Sequence, residues 1–507
     1  MKASLQPQLG PMIVKHAAAG VLIAFCLLSI LLLIREASFL FLLHEAAYGD
    51  SYILYDVLQF QKTGIIYRDL SQPPYLPAQY SPIVYILYSL PGRFVAWDNP
   101  FVGPRLIVIA AFLVCIGIVT SIVRQLIPVR FVWVWSILLA CSISSMWKWI
   151  LQIRADFPGI CFSLLAIRLL LSRASWAVPL AGICAGFAMQ FKITFVAAAA
   201  AGALWLLFQR QWKNLAKFTA LAAMCAAGPY LLYSVREPLM LPQMLALSPG
   251  IADVSGSLLL MRQALRELVI LLALLSFPPV AWRTWPRWAL IFIFAATSFA
   301  VGGLTDLQAG GNVNYYFEML FAVVPMAVLG VLRLVVMARR NAMLGLLVAL
   351  FGIYFLAPRA LLLYGEIENV GADEAFLKVA GALHGHHIFS TIPRLALLDP
   401  DPSLMEPYLL TYMHRLGKLD PKPIVERIRN SEYDVVITAE RPQSWRGVLH
   451  IDPDVRNAIV GSYNPTCTLR GWLLQLPRHP HSTSSDLAQQ LANMGCEPVP
   501  ASTGPSW

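Results

Sequence analysis

Glu45-Ala-Ala-Tyr-Gly-Asp50 runs on through Tyr52, Tyr55, Asp56, Gly64, Tyr67, Arg68 and Asp69 to Tyr80-Ser81-Pro82. The stretch follows directly on the first long apolar run, residues 15–36, and gathers four carboxylates, many tyrosines and several prolines into one loop. A polar loop hung from a membrane-length apolar segment is an extramembrane loop, and the chain around it reads accordingly.

Of the 507 residues, 58% are hydrophobic and 13% charged. A soluble domain carries roughly a quarter charged residues, so this chain cannot cover a water-exposed surface of ordinary polarity. Apolar runs bounded by charge, Pro or Gly fall at 15–36, 105–123, 131–147, 157–172, 176–190, 193–208, 216–234, 265–282, 288–304, 317–336 and 342–362. Runs of about 17 to 20 residues suit helices that cross a bilayer. The fold class expected is mainly α, a polytopic helical membrane protein of about eleven spans. No Ala-x-Ala-like cleavage site follows the first run, which reads as a retained span. The net charge of +10 points to cytoplasmic loops and not to nucleic acid. Arg124 with Arg130, Arg168 with Arg173, Arg210 with Lys213 and Lys217, Arg283 with Arg287, and Arg339 with Arg340 share one side with Lys2 and Lys15. By the positive-inside rule that side, with the N-terminus, is cytoplasmic. A multi-pass protein of the inner (plasma) membrane follows.

This topology puts four polar clusters on the outer side: the loop 37–104 with Glu45, Asp50, Asp56 and Tyr80; Arg154-Ala-Asp156; Gln190-Phe-Lys192; and the stretch from Asp306 through Asn312, Asn314, Tyr315 and Glu318. Polar groups at membrane depth are costly and face a cavity or a partner. Their common end predicts one extracytoplasmic site.

Residues 1–364 form the expected membrane domain. From 365 charge, His and Pro return, and residues 365–507 read as a small extracytoplasmic α/β domain, with strands at His387–Ser390 and Tyr433–Ile437, a helix over Asp420–Asn430 and a mobile tail from Arg478. Alternating helix and strand supports the α/β class. Six cysteines lie in or beside apolar runs as small hydrophobes. Cys467 and Cys496 lie in the polar part, where they either pair in an oxidising compartment or remain thiols. No Cys/His spacing resembles a metal site.

Tyr48-Gly-Asp50-Ser-Tyr52, Asp56, Gly64, Tyr67-Arg-Asp69, Pro73-Pro74 and Tyr80-Ser-Pro82-Ile-Val-Tyr85 resemble the first outer loop of the GT-C glycosyltransferases. The nearest likeness is to the branch of protein O-mannosyltransferases, aminoarabinose transferases and their bacterial relatives. Arg154-Ala-Asp156 resembles that family's Arg-Pro-Asp element. Gly186 through Lys192-Ile-Thr194 resembles its Gly…Lys-Pro-Thr turn, and Gly310-Gly-Asn312-Val-Asn314-Tyr315 its Asn-Tyr element. Phe389-Ser-Thr391, Asp399-Pro400, Gly417, Asp420 and Tyr433-Asp-Val-Val436 resemble its small outer domain. The resemblance covers most of the chain in order. It implies a polyprenyl-phosphate-linked sugar as donor, a glycan, lipid or protein as extracytoplasmic acceptor, and a catalytic carboxylate in the first outer loop. Asp50 matches that carboxylate, although Ser51 stands where the family commonly has Glu, which leaves open whether Glu45 or Asp56 shares the work. The metal-dependent branches use an Asp-x-Asp pair that this loop lacks, so no metal and no cofactor are expected.

The chemistry agrees with these residue types. A lipid phosphate is already a stable leaving anion, so transfer needs a base for the acceptor hydroxyl and cations for the phosphate. Asp50, or else Glu45, is the expected base. Arg154 and Lys192 are expected phosphate binders. Asp56, Asp156, Tyr80, Asn312, Asn314, Tyr315 and Glu318 are expected substrate contacts. Structural roles stand beside each: Asp50 as the N-cap of a helix from Ser51, an Arg154–Asp156 pair, Lys192 snorkelling to the interface, and Tyr67, Tyr75, Tyr80 and Tyr85 as an interfacial belt. A polytopic transporter or flippase is the alternative function. It predicts interrupted helices at the midplane and internal symmetry, and neither shows in the sequence.

Overall fold

The structure, a computed structural model, describes residues 20, 23–24, 27–35, 37–43, 45–46, 49–95, 99–246, 253–276, 285–307, 311–340, 370–392, 395, 403–439, 444–445, 448–449, 451–469, 472–479, 482–493 and 495–499. The expected span 342–362 lies outside them, as do Tyr48 and Gly310 of the sequence motifs and the end of the expected span 265–282.

The long apolar runs fold as helices because a helix satisfies its own backbone groups where no water is available. Among the described residues four helical segments are long and apolar enough to cross a bilayer by themselves: Val102–Leu126, Trp212–Arg236, Trp285–Asp306 and Val313–Met337. At about 1.5 Å per residue, 25 residues extend roughly 37 Å, against a hydrocarbon layer of roughly 30 Å. The expected spans 131–147, 176–190 and 193–208 are shorter apolar helices, Val132–Cys141, Ala177–Phe191 and Ile193–Phe208. The first gives way to a 3-10 turn over Ser144–Trp149. The protein is a polytopic helical membrane protein with a small sheet.

The chain forms two compact units. The first comprises 1–41, 105–230 and 254–366. Its centre is the segment Val313–Met337, whose apolar stretch is 72% buried and which includes most of the Phe317–Arg340 helix. Phe317–Arg340 packs against Trp285–Asp306 and Leu268–Leu274, and Asp156–Leu170 packs along Ala177–Phe191. Small residues set the close approaches. A Cβ on Gly182 would meet the Phe218 carbonyl at 2.6 Å, and one on Gly302 the Tyr315 carbonyl at 2.7 Å.

The second unit comprises 42–104, 231–253 and 367–507. The first outer loop, assigned from sequence to the membrane domain, is therefore built together with the C-terminal region. Among the described residues eight short strands occur here: β1 (Ile388–Ser390), β2 (Ser403–Leu404), β3 (Val435–Ala439), β4 (Ser444–Trp445), β5 (Val448–Leu449), β6 (Tyr463–Leu469), β7 (Trp472–Pro477) and β8 (Glu497–Pro498). β4 and β5 form a separate ribbon, and the rest make one sheet in the order β2-β1-β3-β7-β6-β8. β2, β1 and β3 are parallel, and β7, β6 and β8 extend the sheet antiparallel. Strand side chains alternate between faces. Phe389 and Val436 join one core cluster with Tyr75, Met405 and Tyr463. Ile388, Val435 and Ile437 join another with Leu474, Leu487 and Leu491. Leu487 and Leu491 correct the expected mobile tail: Ser482–Asn493 is an amphipathic helix whose apolar stripe is buried in that second core. Cys467 and Cys496 are disulfide-bonded, S–S 1.99 Å, next to the β6–β8 pairing.

Candidate functional site

In the first unit four sequence-distant elements converge on one small cavity. Asp156 is the first residue of the Asp156–Leu170 helix, where the helix dipole favours a carboxylate. Lys192 lies in extended backbone, φ −157°, at the break after Ala177–Phe191. Asn314 and Tyr315 sit in the 3-10 turn Val313–Tyr316, and Glu318 in the first turn of the helix that follows. Gly302 lets this turn press onto the Trp285–Asp306 helix.

The Asp156 carboxylate is the hub, and it is 2% exposed. Asn314 Nδ2 donates to its Oδ1 at 2.8 Å, and Lys192 Nζ approaches the same oxygen at 3.5 Å. The Lys192 ammonium also stands 3.8 Å above the Tyr315 ring, a favourable place for a cation. Asp156, Lys192, Asn314, Tyr315 and Glu318 line the cavity with Thr194, Phe195, Ser298, Val301 and Thr305. Its volume is about 10 Å³, room for about one water.

Of the seven expected residues in this unit, the cavity brings together five and leaves two aside. Asn312 turns its amide oxygen onto its neighbour's Val313 N–H, 2.8 Å, and caps the 3-10 turn, so local backbone chemistry uses the group expected on substrate. Arg154 does not line the cavity. Its guanidinium stacks 5.3 Å from the Trp149 ring centre, and Asp156 pairs with Lys192 in place of Arg154. Trp149 ends the 3-10 turn Ser144–Trp149. The start of that turn is held by Glu267, whose buried carboxylate accepts from Ser144 N–H, Ser144 Oγ–H and Ser145 N–H.

In the second unit Asp50 opens the Asp50–Thr63 helix, directly after Gly49 at φ 99°, a left-handed conformation that favours glycine. Asp50 is fully buried, and its Oδ2 accepts from Ala46 N–H at 3.2 Å. This corrects the capping role: the N-cap position is Gly49, Asp50 is the first helical residue, and its carboxylate reaches back four residues. Glu45 is half-buried. Asp56, farther along the same helix, is buried and pairs with Arg68 at 3.4 Å. Burial pushes the Asp56 carboxyl up to about 7, while Arg68 pulls it back. Tyr80 lies inside the loop. With Tyr67, Tyr75 and Tyr85 it is buried, so these rings form neither an interfacial belt nor an open stacking surface. The Tyr67 hydroxyl donates to Tyr80 O at 2.6 Å, and the Tyr85 hydroxyl meets Tyr80 N–H at 3.2 Å. Two residues overlooked in the sequence brace this loop. Glu237 accepts from Ile66 and Tyr67 N–H, and Gln243 accepts from Ala78 N–H while donating to Arg68 O.

Among the described residues one group has metal-like spacing, His414, Asp452 and Asp454. Asp452 is engaged within the domain, where it pairs with His414 and caps the Pro453–Ser462 helix through Asp454 N–H.

No protein-family model matches the sequence, and no curated protein matches it. Solved structures do match. The aminoarabinose transferase ArnT of Cupriavidus metallidurans, in the apo state, superposes with a TM-score of 0.59 at 12% identity, over 90% of this chain and 98% of that one. The same protein bound to undecaprenyl phosphate gives 0.56 at 13%, with the same coverage. The apo oligosaccharyltransferase of Archaeoglobus fulgidus gives 0.53 at 12%, over 83% of this chain and 69% of that one. The chain has the GT-C fold.

At this identity the likeness lies in the GT-C fold alone. Sequence reasoning missed Thr194, Ser298 and Thr305 in the lining of the cavity. The signal was present for two of them: Ser298, Val301 and Thr305 recur at three and four residues on the apolar Trp285–Asp306 helix, the spacing of one helix face. Polar residues on one face of a membrane helix mark a cavity.

Proposed function

We propose that the protein is a membrane glycosyltransferase that moves a sugar from a polyprenyl-phosphate donor to an extracytoplasmic acceptor. The observation that carries this is the GT-C fold over 90% of the chain, together with the buried Asp156–Lys192–Asn314 cluster. The two similar proteins reported above are transferases by name, and one of them was solved with undecaprenyl phosphate bound.

In this mechanism Asp50 takes the proton of the acceptor hydroxyl. The acceptor oxygen attacks the anomeric carbon, the bond from that carbon to the phosphate oxygen breaks, and polyprenyl phosphate leaves with the electron pair. The proton ends on the Asp50 carboxylate. Arg154 and Lys192 supply cations toward the leaving phosphate, whose developing charge a fixed cation stabilises. A single base suffices because the leaving group needs no protonation, unlike glycoside hydrolysis with its two carboxylates. The transfer needs no metal or other cofactor, in keeping with the lack of an Asp-x-Asp pair in the first outer loop. The N-terminus is cytoplasmic and the C-terminal domain extracytoplasmic.

The test is mass spectrometry of extracytoplasmic glycans and lipids from cells with the protein, without it, and with Asp50→Asn. A sugar missing from one acceptor in both of the last two strains is expected and names donor and acceptor together. An unchanged profile on deletion would remove the activity, and a complete profile in Asp50→Asn would remove Asp50 as base.

A further inference from the structure

The cavity of the first unit holds an imbalance. Asp156 Oδ2, Asn314 Oδ1, Glu318 Oε1 and Ser298 Oγ are buried with no partner at full hydrogen-bond geometry among the described residues, and the Ser163 and Ser298 hydroxyls lie beside the Glu318 carboxyl. All four residues are at most 5% exposed, and all four line the cavity. The Asn314 orientation is fixed, because only its NH₂ can face the Asp156 carboxylate oxygen at 2.8 Å. Three of the four orphaned atoms are therefore pure acceptors. Ser298 has one proton to give. Buried polar atoms without partners are rare and costly, and they call for a water, an ion or a ligand.

The formal charges sharpen the choice. The lining holds two carboxylates, Asp156 and Glu318, and one cation, Lys192, which already pairs with Asp156. A phosphate oxygen here would face acceptor oxygens, with the one cation already paired to Asp156. A hydroxyl would give its proton to one acceptor and receive the Ser298 proton. The volume, about 10 Å³, matches a single oxygen.

We propose that this cavity is a hydroxyl-recognition subsite: one water fills it in the empty protein, and one sugar hydroxyl of the donor replaces that water. This rests on the glycosyltransferase proposal and deepens it. The inner wall of Glu318, Ser298, Asn314 and Asp156 Oδ2 reads the sugar, and the phosphate is held outside that wall.

The test is equilibrium binding of two probes to the purified full-length protein: undecaprenyl phosphate alone, and undecaprenyl phosphate carrying a hexose or a pentose. Glu318→Gln replaces an acceptor with an amide of the same shape. Its expected effect is about tenfold weaker binding of the sugar-bearing lipid, the scale of one hydrogen bond to a charged group, with binding of undecaprenyl phosphate unchanged. Ser298→Ala, a smaller change that keeps the fold if Glu318→Gln does not, is expected to shift the same probe alone. Equal weakening of both probes, or of neither, would overturn the subsite while leaving the transferase intact. Failure of the wild-type protein to bind either lipid would sink the glycosyltransferase itself, and this subsite with it.

Discussion

The Tyr52 hydroxyl lies 3.0 Å from the carbonyl of Thr391, 339 residues farther along the chain, and 3.3 Å from that of Met405. Thr391 follows β1 and Met405 follows β2, so one side chain near the start of the Asp50 helix ties that helix to the carboxyl end of the parallel strands. A hydroxyl has one proton to share between the two carbonyls. Tyr52→Phe keeps the ring and removes the donor. The expected loss is about 1–2 kcal/mol, read as a lower melting temperature of the detergent-solubilised protein. An unchanged melt would show that the hydroxyl contributes nothing.

Asp156 and Lys192 are coupled. Lys192→Met leaves a buried carboxylate with the Asn314 amide as its one remaining partner, at an expected cost of about 1–3 kcal/mol. Asp156→Asn in the same protein removes the charge that made the loss costly. The double variant is therefore expected to lose less than the two single variants combined. Additive losses in thermal melts would mean that the 3.5 Å pair carries no interaction energy.

Asp56 makes stability depend on pH. Burial raises its carboxyl to about 7 in the folded protein, above the ordinary carboxylate range near 4. Between those values the folded state keeps a proton that the unfolded chain has lost, so stability falls as pH rises through the window and levels off above it. Melting scans from pH 4 to pH 8 are expected to show this decline, and Asp56→Asn is expected to flatten it. A decline of equal slope in the variant would assign the effect to other groups.

The Cys467–Cys496 disulfide closes a loop of 29 residues. By loop-closure entropy it contributes about 3–4 kcal/mol. Double substitution by Ala is expected to loosen β8 and the Ser482–Asn493 helix first, seen as faster hydrogen exchange across residues 482–499. Unaltered exchange there would show that the buried Leu487 and Leu491 hold the region without the bond.

Sequence alone determined what depends on neighbours along the chain. Apolar runs of membrane length fold as helices wherever they occur, so most spans, the break at Lys192 and the α/β character of the C-terminal region were legible. Parts that depend on a local turn were only half legible. Asn312 carries the right chemistry for a ligand, and the adjacent Val313 N–H claims it. Tertiary structure decided who meets whom: Asp156 with Lys192 across 36 residues and with Asn314 across 158, Arg154 with Trp149, and Tyr52 with the far strand ends. Periodicity records which face of an element is apolar. The partner of a buried charge is set by how helices pack, where a glycine such as Gly302 brings two backbones together and low polarity makes an unpaired charge costly.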